Sequence, residues 1–397
     1  MKILVVLPRF PYPLDKGDKL RAYHQIVELS KRHKVYLFSL SHNKVPHDDY
    51  DHLNTFCTGV DYVRLRWWES AWGVLRAFFT GKPLQLGYWS SSRARREYKR
   101  WEQQVQPDVV YCQMVRAIPT IEESSCRKVL DFQDALSLNT RRRMERSHGL
   151  LRWILRYEYH ALQRTEQQAL GLFGATTVIA EADREAITHA FTQSNNHAIT
   201  IVPNGVDTGY FSPVNSGAEK LYDIVFCGNM AYAPNVDAAC WLVKEIMPLV
   251  WEQCPYGRKV LIAGADPKPA VRALAGPRVT VSGRLDDIRT AYASARIFVA
   301  PMRIGSGMQN KLLEAMAMKL PCVTTTIAAT PLGASAWEHL LVGDTAEQIA
   351  DLIVKLGTEE LHDYIADGGH RFVQEHYSWA AAVEPLEQLF NEQLATK

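Results

Sequence analysis

The chain has 397 residues, enough for two to three domains at roughly 150 residues each. Apolar residues make up 47% and charged residues 22%, a globular composition that excludes a wholly disordered chain. Lys+Arg 45 against Asp+Glu 43 leaves a net charge of +2, so no global basicity marks a nucleic-acid binder. No apolar run approaches the roughly 18 residues of a membrane span.

The chain opens with MKILVVLPR, whose apolar stretch is too short for a signal peptide and reads as a strand. Similar β-branched runs follow at 34–40, 108–114, 128–132, 175–180, 199–205, 223–228, 259–264, 279–283, 296–301 and 321–325. Their nearly continuous apolar character suits strands buried on both faces of a parallel sheet. Helical stretches lie between them, such as 19–33, 236–253 and 309–318, and 376–394 reads as a terminal helix interrupted by Pro385. Alternating β and α gives doubly wound α/β sheets. Eleven strands exceed one comfortable core, so the expected architecture is two Rossmann-like parallel-sheet domains. The first spans 1–198 and is completed by the C-terminal helix 377–397; the second spans 199–376. The hinge is placed near 194-SNNHAITIVPNG, where polar residues precede a new strand and a Pro-Asn-Gly turn. The seven cysteines are scattered, odd in number and without C-x-x-C, which argues against a disulfide framework or a thiolate zinc site and for a cytoplasmic protein with buried thiols.

Several chemistries are excluded by motif. No G-x-G-x-x-G follows a strand, and there is no G-x-x-x-x-G-K-[ST], H-E-x-x-H or G-x-S-x-G, against dehydrogenases, P-loop enzymes, zincins and α/β-hydrolases. Asp49-Tyr50-Asp51, beside His47 and His52, has carboxylates spaced for a hard cation. The same acids suit the start of a helix, and no metal is expected.

The most informative stretch is 296–325. A strand ends at Pro301, a loop carries Met302, Arg303, Gly305, Ser306 and Gly307, and a helix follows from about Met308. Glycines let backbone approach a ligand closely, and the first-turn amides of Met308, Gln309 and Asn310 make an anion site where open α/β sheets place ligands. Lys311 and Glu314 share one helix face. A diphosphate at the helix start puts an attached ribose within reach of Glu314, whose carboxylate accepts from two neighbouring hydroxyls. Lys311 or Arg303 would neutralise phosphate charge. The same residues also fit an ordinary glycine-hinged turn with a surface Lys–Glu pair. Gly228-Asn229 and Gly283-Arg284, after their own strands, would add a pocket wall. In the first domain, Gly17-Asp18 opens a helix after a Pro-rich loop, either to meet phosphate or acceptor or, through Asp15 or Asp18, simply to cap the helix. Asp131, Gln133 and Asp134 end a strand, to orient an acceptor hydroxyl or a sugar, or, for Asp134 or the following Ser137, to cap a helix. Residues 60–164 hold 19 Lys+Arg against 11 Asp+Glu and six of the ten tryptophans. That mixture suits contact with anionic headgroups or a phosphate-bearing acceptor, or a basic face over a Trp-rich core.

At 199-ITIVPNGVDTGYFSP, 303-RIGSGMQNKLLEAMAMKLPCV, 8-PRFPYPLDKGDKLRAYHQIVEL and 377-YSWAAAVEPLEQL the chain resembles retaining glycosyltransferases of family four. Within that family it is most similar to sugar transferases of bacterial exopolysaccharide clusters, including exosortase-associated ones. The resemblance implies a GT-B fold with two domains facing a cleft, and no cofactor. It also implies metal-independent transfer with retention, from a nucleoside diphosphate sugar held by the second domain to a glycan or lipid-linked acceptor held by the first. Glu314 matches the second glutamate of the family's E-x7-E signature, while Ser306 stands at the first. Lys311 matches a basic position. Asn229 replaces an arginine near Gly228, and Gln133-Asp134 stand near the place of a family histidine. The expected roles are therefore catalytic for Lys311, Asp134 and Arg303. Donor binding falls to Glu314, residues Gly305 to Asn310, Gly228, Asn229, Gly283 and Arg284, and acceptor or phosphate contact to Gly17, Asp18 and Gln133. The alternatives are a nucleotide-sugar epimerase and a non-catalytic sugar-nucleotide-binding subunit. The expected location is the cytoplasm, at the inner face of the plasma membrane.

Overall fold

The structure, a computed structural model, describes residues 1–145, 147–188, 198–213, 220–254, 258–304 and 308–395. The apolar runs form two parallel sheets. In the first, β1 (Lys2–Leu7), β2 (Lys34–Ser41), β3 (Gly59–Arg64), β4 (Val109–Gln113), β5 (Lys128–Asp131), β6 (Ala175–Val178) and β7 (Ile199–Ile201) lie in the order β3-β2-β1-β4-β5-β6-β7. In the second, β8 (Tyr222–Cys227), β9 (Val260–Ala263), β10 (Val279–Gly283), β11 (Ala295–Ala300), β12 (Cys322–Thr324) and β13 (Leu341–Val342) lie in the order β10-β9-β8-β11-β12-β13. The ladders are parallel, with Leu4 opposite Tyr36 and Val110, and Ile224 opposite Ile297 and Val260.

The alternation of side chains explains why these runs are apolar throughout. Leu4 and Val6 of β1 enter one core with Phe38, Val110 and Leu130, while Ile3 and Val5 enter another with Leu37, Val109 and Val129. A central strand thus feeds two layers and has few positions left for polar side chains. Two strands of the described chain are additional to the expected eleven. β3 is an edge strand with mixed burial, and β13 has two residues, too short to leave a pattern.

The chain divides into two compact units, Met1–Asn204 with Ala382–Lys397, and Gly205–Ala381. The boundary falls at Asn204 rather than residue 198 because β7 pairs with β6, Thr176 opposite Ile199 and Val178 opposite Ile201. Residues 194–197 of the expected hinge lie outside the described residues. Buried Arg21 pins the exit of β7: it donates to the carbonyls of Val202 (2.8 Å) and Pro203 (3.0 Å), to Asn204 Oδ1 (3.0 Å) and to Asp131 (2.8 Å). The terminal helix Trp379–Ala395 contains Pro385, and its residues from Ala382 belong to the first unit. There Val383, Leu386 and Phe390 are buried, and Glu387 pairs with Arg32 and His33.

In both sheets the strand order reverses beside the first strand of the unit, between β1 and β4 and between β8 and β11. The crevice outside the carboxyl ends of such strands is where doubly wound sheets hold ligands.

Candidate functional site

At the switch point of the second unit, β8 runs out into Gly228-Asn229 and β9 into Gly264. Gly264 has φ +136°, and a Cβ there would lie 1.8 Å from the Gly228 carbonyl oxygen, so glycine alone lets the two loops close on each other. Gly228 N donates to Ala263 O, and Gly264 N to Gly283 O, both at 3.0 Å. These strand ends floor a cavity of about 510 Å³, whose wall is completed by Asn235, Arg284, Tyr292, Met308, Asn310, Lys311 and Glu314.

Helix Asn310–Ala317 carries the polar part of that wall. Leu312, Leu313, Ala315, Met316 and Ala317 take its core face, which leaves Lys311 and Glu314 together on the partly buried face. The Lys311 ammonium donates to Asn235 Oδ1 and sits 4.9 Å from the Phe226 ring centroid. Burial lowers its pKa to about 8, against the opposing pull of Cys227 and Glu314. Asn235 is itself fixed, donating from Nδ2 to the Asn229 carbonyl at 2.9 Å. Glu314 accepts from the Tyr292 hydroxyl at 2.7 Å. Burial pushes its pKa up, while Tyr292 and Lys311 favour the carboxylate. Cys227 is buried, and desolvation followed by Glu314 pushes its thiol far up, so it is a neutral packing group.

A helix start, an ammonium and the exposed Arg284 guanidinium therefore share a cavity with one oriented carboxylate. Glu314 lies four residues beyond Asn310, about 6 Å along the axis. The set can hold an anion at the helix start and a pair of hydroxyls one turn further on.

The structure brings Gly228, Asn229, Arg284, Met308, Asn310, Lys311 and Glu314 to one cavity. Gly283 stands at the adjoining end of β10 with φ +71°, and Gln309 is the cap position of the helix. Gly305, Ser306 and Gly307 lie outside the described residues. Arg303 is placed elsewhere: both its Nε and an Nη donate to Asp237, at 3.0 and 2.7 Å, and its guanidinium lies 4.8 Å from the Trp241 ring centroid. Pattern reading missed Asn235, Tyr292 and Gly264 among other lining residues. Asn235 and Tyr292 reach the site through tertiary packing, and neither stands in a recognisable spacing.

In the first unit, Asp18 and Gln133 meet beside Arg9, Gln113 and Met114 at the carboxyl ends of β1 and β4. Asp18 accepts from Arg9 at 2.6 Å, and Gln133 donates to Gln113 Oε1 at 3.2 Å. Met114 and Gln133 have φ of +65° and +63°, so two non-glycine residues are held in the left-handed region at adjoining strand ends, a cost that surrounding structure must sustain. A Cβ on Gly17 would meet nothing within 4 Å. Neither Asp15 nor Asp18 caps helix Gly17–Ser30, whose cap position is Lys16. Asp131 does not face a ligand: it is fully buried under Arg21 and accepts from Tyr111 at 2.9 Å. Asp134 is exposed beyond it. The next helix, Leu136–Glu145, takes its capping acceptors from afar: Glu166 accepts from Ser137 N and Asp183 from Ala135 N, both at 3.0 Å. Asp49-Tyr50-Asp51 lies in helix His47–Asn54, with Asp51 paired to His47.

Comparison with known proteins places this geometry. Over 398 residues the chain is 23% identical to an "uncharacterized 44.6 kDa protein in cps region" of Klebsiella pneumoniae, covering 95% of this chain and 96% of the relative. Among solved structures it is similar to sucrose-phosphate synthase from Thermosynechococcus elongatus, with TM-score 0.68, 14% identity and 100% of both chains covered. It is also similar to Anabaena HepE in complex with UDP, with TM-score 0.62, 14% identity, and 99% of this chain and 100% of the other covered. Residues 222–359, which run from β8 past the helix of Lys311 and Glu314, match the family described as glycosyl transferases group 1. The chain accordingly has the GT-B fold, and the stretch similar to glycosyl transferases group 1 lies within its second unit.

Proposed function

We propose that this chain transfers a hexose-type sugar from a nucleoside diphosphate sugar to a glycan or lipid-linked acceptor, with retention at the anomeric carbon and without a metal ion, in polysaccharide synthesis. The observation that carries the reading is the pairing of Lys311 and Glu314 on one wall of the switch-point cavity. The diphosphate rests on the start of helix Asn310–Ala317, with Lys311 and Arg284 against its charge. The nucleoside ribose lies on Glu314, whose carboxylate Tyr292 orients. UDP in the Anabaena structure and the cps-region location of the Klebsiella relative support the donor class and the pathway class.

In the reaction the bond from the anomeric carbon to the diphosphate oxygen breaks and the acceptor oxygen bonds to that carbon from the same face. The acceptor proton passes to the departing phosphate oxygen. Negative charge grows on the diphosphate as the bond breaks, so fixed donors at the helix start and the Lys311 ammonium stabilise the transition state more than the bound donor. Among the described lining residues Glu314 is the one carboxylate. That supports leaving-group-assisted attack over double displacement, which requires a carboxylate pair. Gly17, Asp18, Gln133 and Asp134 of the first unit are assigned to the acceptor.

Calorimetry with UDP tests the reading. Glu314→Ala is expected to weaken binding by about 1.5–3 kcal/mol, the range for hydrogen bonds to a charged group, and Glu314→Gln by less. Unchanged affinity in Glu314→Ala overturns the assignment. An epimerised sugar nucleotide, formed from donor alone, would replace transfer by epimerisation.

A further inference from the structure

The aromatic-rich segment of the first unit presents a surface that the donor cavity does not use. Helix Trp67–Phe79 is rigidly seated. Its Gly73 crosses Gly87 so closely that a Cβ on Gly73 would lie 2.1 Å from the Gly87 carbonyl. The Tyr157 hydroxyl lies 3.0–3.2 Å from the carbonyls of Ala77, Phe78 and Lys82 at the far end. The helix nevertheless leaves its outer stripe bare: Trp68, Trp72, Leu75 and Phe79, at helical spacing, are 50%, 69%, 46% and 77% exposed, and Trp67 beside them is 76% exposed. Across an apolar groove of about 400 Å³ the stripe continues onto Leu150 and Trp153 of helix Gly149–Leu172, and Leu151 beside them is also exposed. The same elements carry exposed arginines: Arg64, Arg66 and Arg76 on or just before helix Trp67–Phe79, and Arg152 and Arg156 on the helix of Trp153. The acids beside the stripe are engaged: Glu69 by Arg93 and the Arg66 amide, and Glu158, which is buried, by the amides of Leu84 and Gln85.

We propose that this face docks on the surface of an anionic lipid bilayer, with helix Trp67–Phe79 lying in the headgroup plane. Soluble monomers rarely leave contiguous apolar area of this kind uncovered, and tryptophan rings are suited to the boundary between acyl chains and headgroups. The arginines decide between occupants. A second copy would bring like charges together, whereas anionic headgroups compensate them. The helix has 13 residues, well short of the roughly 20 that span a bilayer, and no described helix is long and apolar enough to cross one. It therefore lies on the membrane rather than through it.

Flotation of the full chain with phosphatidylcholine vesicles, with and without phosphatidylglycerol, tests this. Binding is expected only with the anionic lipid and is expected to weaken as salt rises. The triple variant Trp68→Glu, Trp72→Glu, Phe79→Glu should lose binding by about tenfold or more, while its UDP affinity and thermal transition stay unchanged, because these side chains are exposed. Arg152→Gln with Arg156→Gln should lower binding and flatten its salt dependence. Wild-type protein that ignores phosphatidylglycerol vesicles at low salt, or a triple variant that floats like wild type, overturns the proposal. So does a concentration-dependent dimer in the absence of lipid that the same three substitutions disperse.

Discussion

The Lys311 ammonium ties nucleotide affinity to pH in a way that can be worked from its surroundings. Burial in the cavity wall holds its pKa at about 8. A diphosphate placed beside it supplies the missing counter-charge, and the pKa returns toward its ordinary value near 10.4. Below pH 8 the free protein already carries the proton, so affinity is flat. Above pH 8 the free protein has lost it, and binding must recover it from solution. Between pH 7 and 9 the dissociation constant for UDP should therefore rise by about tenfold, or about 1.4 kcal/mol, with close to one proton taken up at pH 9. Starting at pH 7 leaves the terminal phosphate, with a second pKa near 6, mostly ionised throughout. Glu314 gives the opposite slope, since ionising it improves its grip on hydroxyl donors as pH rises. Titration calorimetry in two buffers of different ionisation heat reads both affinity and proton uptake. Lys311→Met should bind UDP about 1.5–3 kcal/mol more weakly at pH 7 and should lose the alkaline slope. A pH profile with the same slope in wild type and in Lys311→Met would refute the placement of the diphosphate.

Two further outcomes follow from packing. Gly264→Ala forces a Cβ onto the Gly228 carbonyl at 1.8 Å with φ +136° and should cost the second unit about 3 kcal/mol or more; a urea midpoint like that of wild type would show that the loops do not meet. Buried Glu166 is raised by desolvation to about 7, so the folded first unit binds more protons than the unfolded chain between about pH 4.5 and 7. That stability is fully present below the lower value and is lost as pH rises through the upper one. Glu166→Gln keeps an acceptor for Ser137 N, and should stabilise the unit by about 1–3 kcal/mol at pH 7.5 while reducing its pH slope; a urea midpoint no higher than wild type at pH 7.5 would count against it.

The fold was largely legible because burial on both faces leaves central strands little freedom of composition. Ile3 to Leu7 and Ile224 to Cys227 are all buried, and runs of that kind cannot be mistaken for amphipathic helices of the same length. What escaped was structure without such a constraint. β3 has one partner strand and mixed exposure, so its sequence is free to vary. The domain boundary is displaced for a related reason. Val202, Pro203 and Asn204 look like a new strand running into a turn, yet what holds them in the first unit is a hydrogen-bond fan from Arg21, far away in sequence.

The same distinction runs through the site. Residues that act through backbone position or helix spacing, such as Gly228 and the Lys311–Glu314 pair, leave a local signature. Arg303 and Lys311 show where that signature stops. Both are cations near one glycine-rich loop, and spacing alone makes them equivalent. The structure separates them by their partners. Arg303 meets a carboxylate, Asp237, at 2.7 Å, so its charge is already compensated on the surface. Among the described residues, Lys311 hydrogen-bonds the neutral amide oxygen of Asn235 and lies near the Met302 sulfur, over an aromatic ring, with the Glu314 carboxylate further off. An ammonium kept in that setting, with its pKa depressed to about 8, is the charge that an incoming diphosphate would stabilise most. The difference is set by Asp237, Asn235 and Phe226, side chains on a neighbouring helix and strand, which no spacing rule along the loop can reach.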